Sequence, residues 1–223
     1  MLSPFKYRVR YTKLGGVAFL GSIETLDAMR RAFRAAGLKL KYSQGYHPRP
    51  KISGGAALPV GIESECEFVD IETVEAIEKE KLINDSQGHL PFGMKVVSIE
   101  ELLPAAKSIE DSIVLTKYEV GIKDDVGAMI DCFKCAGKWP FTRRRKDKEE
   151  IVDLKDYVSH LAVLNHGVVG ISVQNKKPIL RIVEIVGGIF NLSEEILKCV
   201  SIRKVGIDFI DCHPCEGRDP VFI

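Results

Sequence analysis

Residues 6–12 read KYRVRYT, placing Tyr7, Val9 and Tyr11 on one face and Lys6, Arg8 and Arg10 on the other. A period of two with one apolar face predicts a half-buried strand. Gly15 and Gly16 then turn the chain, and residues 17–20 form a short apolar continuation. At Ser22 the period lengthens: Ile23, Leu26, Met29, Phe33 and Ala36 recur at helical spacing. Ser22 reads as the N-cap, Glu24 and Asp27 as first-turn acids, and Gly37 as the stop. Arg30, Arg31 and Arg34 fall on the polar face, which alone describes a solvated surface partly paired with Asp27.

Extended segments are predicted over 51–57 and 66–72, a helix over 74–82 with Val74, Ile77 and Ile83 inward, and a strand over 93–99. The order β-α-β-β-α-β is the ferredoxin-like pattern. It recurs downstream. A strand is predicted over 116–123 and a helix over 125–136, with Ala128, Met129, Cys132 and Phe133 inward. Strands over 153–163 and 167–174, a helix over 177–190 with Pro178 near its first turn, and a strand over 200–210 complete the set. The expected fold is therefore α+β: two ferredoxin-like (βαββαβ) domains in tandem, residues 1–104 and 112–211. Between them, residues 103–111 interrupt both patterns with Pro104, two alanines and mixed charges. Residues 212–223 form a tail that resembles translated interspersed repeats and is expected to carry no function.

Composition changes this picture in one respect. An apolar share of 45% and a charged share of 28% are ordinary for a globular chain of 223 residues. No run of about 18 apolar residues occurs, so no membrane partner is expected, and the N-terminus lacks an apolar export segment. A cytoplasmic location with reduced cysteines follows as an expectation. The net charge of +1, however, conceals a polarity. Residues 1–61 carry eleven Lys/Arg against two acids, a net of +9, whereas residues 62–125 carry six against sixteen, a net of −10. A basic segment of this kind seeks phosphate, nucleic acid or the acidic segment beside it.

Candidate chemistry is sparse. Cys132-x-x-Cys135 with Cys212-x-x-Cys215 has the spacing of a zinc site. The first pair, however, lies in a predicted helix and the second in the tail, so neither metal nor cofactor is assigned. No phosphate loop, dinucleotide fingerprint or nucleophile elbow occurs. Catalytic residues are not assigned, and an enzyme is not the favoured reading. The dense stretch is YSQGYHPRPKISGG, residues 42–55. Tyr42, Tyr46 and His47 offer stacking faces, and Arg49 and Lys51 offer phosphate contacts, the tools of single-strand recognition. A second basic run, Arg143-Arg144-Arg145-Lys146-Asp147-Lys148, reads as a loop between helix and strand, either flanking the same groove or simply solvated.

These residues resemble a known family. Arg8, Arg10, Tyr11, Lys13 and Gly15, then Tyr42, Ser43, Gly45, Tyr46, Pro48, Pro50, Lys51 and Ser53, and finally Leu58, Pro59, Gly61, Ser64 and Glu67 match the radical-SAM-linked domain of unknown function. His47 stands where that family typically has Asn and Arg49 where it typically has His, which moves weight from imidazole chemistry to the proline-shaped loop and Lys51. The resemblance implies a partner, a cobalamin-binding radical SAM protein, for which this chain would be a stand-alone accessory. The expected function is a substrate-binding module, with RNA as the expected ligand. Its site would comprise Arg8, Arg10, Arg30, Arg31, Arg34, Tyr42, Tyr46, His47, Arg49, Lys51 and Ser53. Two alternatives stand beside it: a metal-independent endoribonuclease using His47, and an interaction scaffold whose basic segment docks on acidic surface.

Overall fold

A computed structural model describes residues 5–122, 125–145 and 148–210. The chain divides into two compact units, Met1–Ser112 and Ile113–Ile223. The first contains β1 (Phe5–Lys13), α1 (Ser22–Ala35), β2 (Ile52–Gly54), β3 (Glu63–Thr73), α2 (Lys79–Gln87), β4 (Met94–Leu102) and a single turn, α3 (Ile109–Ser112). Its strands run in the order β4-β1-β3, with β2 also pairing β3, and these pairings are antiparallel.

The alternation of β1 sets the layers. Tyr7, Val9 and Tyr11 face a core that includes Val69, Ile71, Val96 and Ile99 from the neighbouring strands and Ala28, Met29 and Phe33 from α1. Fully burying each large apolar side chain contributes about 1.5–3 kcal/mol, so this face fixes the register. The opposite face carries Lys6, Arg8 and Arg10, set against Glu72, Asp70 and Phe68 of β3.

The second unit contains β5 (Ile113–Gly121), α4 (Gly127–Cys135), β6 (Pro140–Arg145), β7 (Lys148–Asp153), β8 (Val158–Asn165), β9 (Val168–Gln174), α5 (Ile182–Phe190), α6 (Glu194–Leu197) and β10 (Ser201–Phe209). Its sheet runs β10-β5-β9-β8, again antiparallel, while β6 and β7 pair as a separate hairpin. The molecule is thus a mixed α+β protein with antiparallel sheet and several helices. None of the described helices is long and apolar enough to cross a membrane.

Several expectations are corrected. The N-cap of α1 is Gly21, whose amide donates to Glu24 Oε2 at 2.6 Å, so Ser22 is already helical. The buried stripe of α1 is Thr25, Ala28, Met29, Ala32 and Phe33, which leaves Ile23 exposed. Helix α2 starts later than expected because Val74 is held in a bend that follows β3, its amide donating to Lys39 O. In α4 the inward residues are Ile130 and Phe133; Ala128, Met129 and Cys132 face out. The single strand expected over 153–163 is broken by a tight turn, where the Asp153 carboxylate accepts from the amides of Trp139 and Lys155. Helix α5 begins at Ile182, capped by Glu184, which accepts from the Arg181 amide at 2.7 Å. Pro178 therefore precedes it by a full turn. The arginine run is not a loop: Arg143, Arg144 and Arg145 lie on β6.

Candidate functional site

The stretch between α1 and β2 folds back on itself as an arm. The Lys51 amide donates to Lys41 O at 2.7 Å, and the Ser43 amide donates to Arg49 O at 2.8 Å. Tyr42 and Pro50 form a bridge between these rungs. The arm is anchored to β3, with Lys41 N donating to Glu72 O and Glu72 N donating to Lys51 O. Proline at 48 and 50 lacks an amide to spend, so the rungs fall on Ser43, Arg49 and Lys51 instead. The Ser43 hydroxyl adds a further tie by accepting from the Arg49 amide at 3.0 Å.

Beyond the last rung the tip is exposed from Gln44 to Pro48. Tyr46 is 95% exposed, and its ring meets that of His47 edge-on, with centroids 4.8 Å apart. A large aromatic held this far out contributes nothing to the core. It is available as a stacking platform.

Below the arm lies a cleft of about 780 Å³. Its floor is the polar face of the sheet, with Lys6, Asp70 and Glu72; residues 49–54 form one wall and residues 106–110 the other. That second wall is a strap leaving β4. It is held by Lys6 Nζ reaching Pro104 O at 3.5 Å and by Arg8 donating to Lys107 O at 3.0 Å. The strap then seats Ile109 against Gly55, where a Cβ would meet the isoleucine at 2.8 Å. Only glycine permits that approach.

Electrostatics divide the lining cations into two sets. Arg8, only 8% exposed, grips Asp70 with two bonds at 2.8 and 2.9 Å. Lys51 pairs with Glu72 at 3.0 Å, and Lys41 approaches the same carboxylate at 3.7 Å. Part of the charge polarity between residues 1–61 and 62–125 is therefore neutralised inside the unit, through Asp70, Glu72 and Glu75. Among the described residues, Lys6, Arg49 and Lys107 have no carboxylate partner. Glu110 on the strap adds one acid to the rim.

The expected site residues thus fall into separate places. Arg49, Lys51 and Ser53 line the cleft, Tyr42, Tyr46 and His47 belong to the arm, and Arg8 and Arg10 lie on the polar sheet face. Arg30 pairs with Asp27, while Arg31 and Arg34 are exposed on α1, across the sheet from the cleft. One continuous basic surface does not include them all. Sequence reasoning missed Lys6, Ser43, Lys107 and Ser108 as lining residues. The alternation of β1 pointed Lys6 away from the core, but Lys107 lies in a segment read only as a boundary.

A second pocket, about 160 Å³, lies on the core side of the sheet and includes Tyr11, Lys13, Thr25 and Glu67. Burial and the neighbouring Glu67 carboxylate hold the Tyr11 phenol protonated well above its usual range. Cys132 and Cys135 are exposed thiols, and Cys212 and Cys215 lie outside the described residues. Among the described residues no three metal-ligating side chains converge.

A family model described as an uncharacterised protein conserved in bacteria (DUF2344) matches residues 6–187. No curated protein matches the chain. Among solved structures, the crystal structure of an unknown protein from Galdieria sulphuraria aligns over 93% of this chain and 99% of its own, at 11% identity and a TM-score of 0.29. A superposition that loose carries no inference.

Proposed function

The chain belongs to the uncharacterised bacterial family DUF2344, and from that premise we propose that it is an accessory module that binds a phosphate-bearing substrate, RNA in the first instance. One observation carries this reading. Three cations, Lys6, Arg49 and Lys107, line or rim the cleft with no carboxylate partner among the described residues, beside an arm that presents Tyr46 to solvent. Unpaired cations supply phosphate contacts, and an exposed ring supplies sequence-tolerant stacking. A volume of about 780 Å³ suits a ligand of nucleotide size.

The antiparallel 4-1-3-2 order of the sheet strands supports a ferredoxin-like scaffold in each unit, with the β6–β7 hairpin as an insertion in the second. The partner in this reading is a cobalamin-binding radical SAM protein. That part rests on the motif resemblance alone, and co-purification with and without nuclease tests it. A cytoplasmic setting belongs to the same proposal.

The binding claim is tested by fluorescence polarisation with a single-stranded oligoribonucleotide over a salt series. Three phosphate contacts predict a slope of about −2 in log K against log salt. Absence of binding at low salt, or binding insensitive to salt, rejects the reading.

A further inference from the structure

The strap crosses the cleft at one end. The cleft floor runs along the polar face of β1 and β3, from Lys6 and Glu72 toward Arg8 and Asp70. At Arg8 the strap crosses the sheet, fixed by the bond from Arg8 to Lys107 O at 3.0 Å. At the β2 side it closes on the arm wall, because Ile109, itself 4% exposed, packs against Gly55 with no room for a Cβ. At the β4 side Leu102 lines the cleft, and Lys6 Nζ approaches Pro104 O. The exposed rim is formed by Arg49 on the arm and by Ala106, Lys107, Ser108 and Glu110 on the strap.

We infer that the cleft receives the phosphorylated end of a single strand, not its interior. This deepens the phosphate-binding reading and rests on it. An extended strand running along the sheet meets the strap at Arg8, so a chain entering past Arg49 must terminate within the cleft. A terminal phosphate monoester carries more charge and more free acceptor oxygens than an internal diester. The cations without carboxylate partners, Lys6, Arg49 and Lys107, surround the place where such a group would stop. The hydroxyls of Ser43 and Ser53 line the same space and can donate to its oxygens. The nucleotides behind the end then pass the arm, where Tyr46 stands exposed.

Four forms of one short oligoribonucleotide test this: 5′-phosphorylated, 3′-phosphorylated, unphosphorylated linear and circular, each titrated with the full chain at one low salt concentration. Better binding of the 5′-phosphorylated or the 3′-phosphorylated form identifies which end enters. At least one phosphorylated form should bind about tenfold or more tighter than the circle, the size of one charge-assisted contact. In Lys107→Ala the phosphorylated form should lose more affinity than the circle, so that the preference shrinks toward about twofold. A circle that binds within about twofold of every linear form overturns the end-binding inference and leaves phosphate binding standing. Failure of all four forms to bind removes the phosphate reading, and the inference falls with it.

Discussion

Two basic stretches look alike in sequence, the arm of residues 41–53 and the hairpin β6–β7, yet among the described side chains only the arm leaves a cation, Arg49, without a carboxylate partner. In the hairpin, Arg143 is 4% exposed, donates to Ile179 O at 2.7 Å and pairs with Glu184 at 3.4 Å. Arg144 pairs across the hairpin with Glu149 at 2.8 Å. The hairpin is also packed down: Trp139 Nε1, just before β6, donates to Gly188 O, and Phe141 crowds the same helix. In the arm, the backbone is tied by its rungs, but Arg49 and the tip residues Tyr46 and His47 reach solvent. Charge density therefore does not identify a binding surface. What matters is whether each cation already has a partner within the fold.

The largest effect should come from the hairpin. Arg143→Ala removes a buried guanidinium together with its bond to Ile179 O and one of the two arginine partners of Glu184, and should lower stability by about 2–3 kcal/mol in urea unfolding, with RNA binding retained. A loss below about 1 kcal/mol would mean that this arginine is not a structural tie, and the contrast would collapse. The arm should behave inversely. Tyr46→Ala should weaken single-strand binding by about 1–3 kcal/mol and leave stability within about 0.5 kcal/mol. An equal loss of stability and binding would make the tip a packing element.

A third test uses pH. Burial pushes the Glu184 carboxyl up, but the Arg181 amide and the Arg181 and Arg143 guanidiniums outweigh it, leaving the group below its ordinary value of 4.5. A depressed folded pKa means the stabilisation is present above the ordinary value and is lost as pH falls through the folded one. The stability gap between wild type and Glu184→Gln should therefore narrow on acidification. A gap that is constant down the acid limb would assign Glu184 a purely steric role. The smallest effect belongs to Arg144→Ala: an exposed pair contributes about 0–1 kcal/mol, and neither stability nor RNA binding should change by more.

Much of the fold was legible because burial enforces period. The strict alternation of residues 6–12 placed Tyr7, Val9 and Tyr11 in the core, where each is under 5% exposed. Helix faces were less legible. In α1 the small residues Ala28 and Ala32 let the helix sit close to the sheet, rotating the stripe away from Ile23. The second strand was overextended because residues 54–57 are Gly-Gly-Ala-Ala, which have little side chain to pack on a sheet; β2 stops at Gly54. The hairpin did leave a signal, since the arginines and the glutamates after them are mirrored: Arg143 faces Glu150, and Arg144 faces Glu149.

The candidate site was half legible. The arm could be read from its prolines, aromatics and bases, all local features. The strap could not, because its role depends on contacts with Arg8 and Gly55, about 100 and 54 positions earlier in the chain, and long-range contacts leave no local pattern. The same distance hid the internal neutralisation of Arg8 and Lys51, which only cross-strand register could reveal.

The central claim is that unpartnered cations beside the arm, and not basic residues in general, bind phosphate. It is tested most directly by the salt dependence of RNA binding in three proteins: wild type, Arg49→Ala and Arg144→Ala. Removing one phosphate contact should flatten the slope by about 0.7 in Arg49→Ala, and Arg144→Ala should keep the wild-type slope. Equal flattening in both variants, or none in Arg49→Ala, would contradict it.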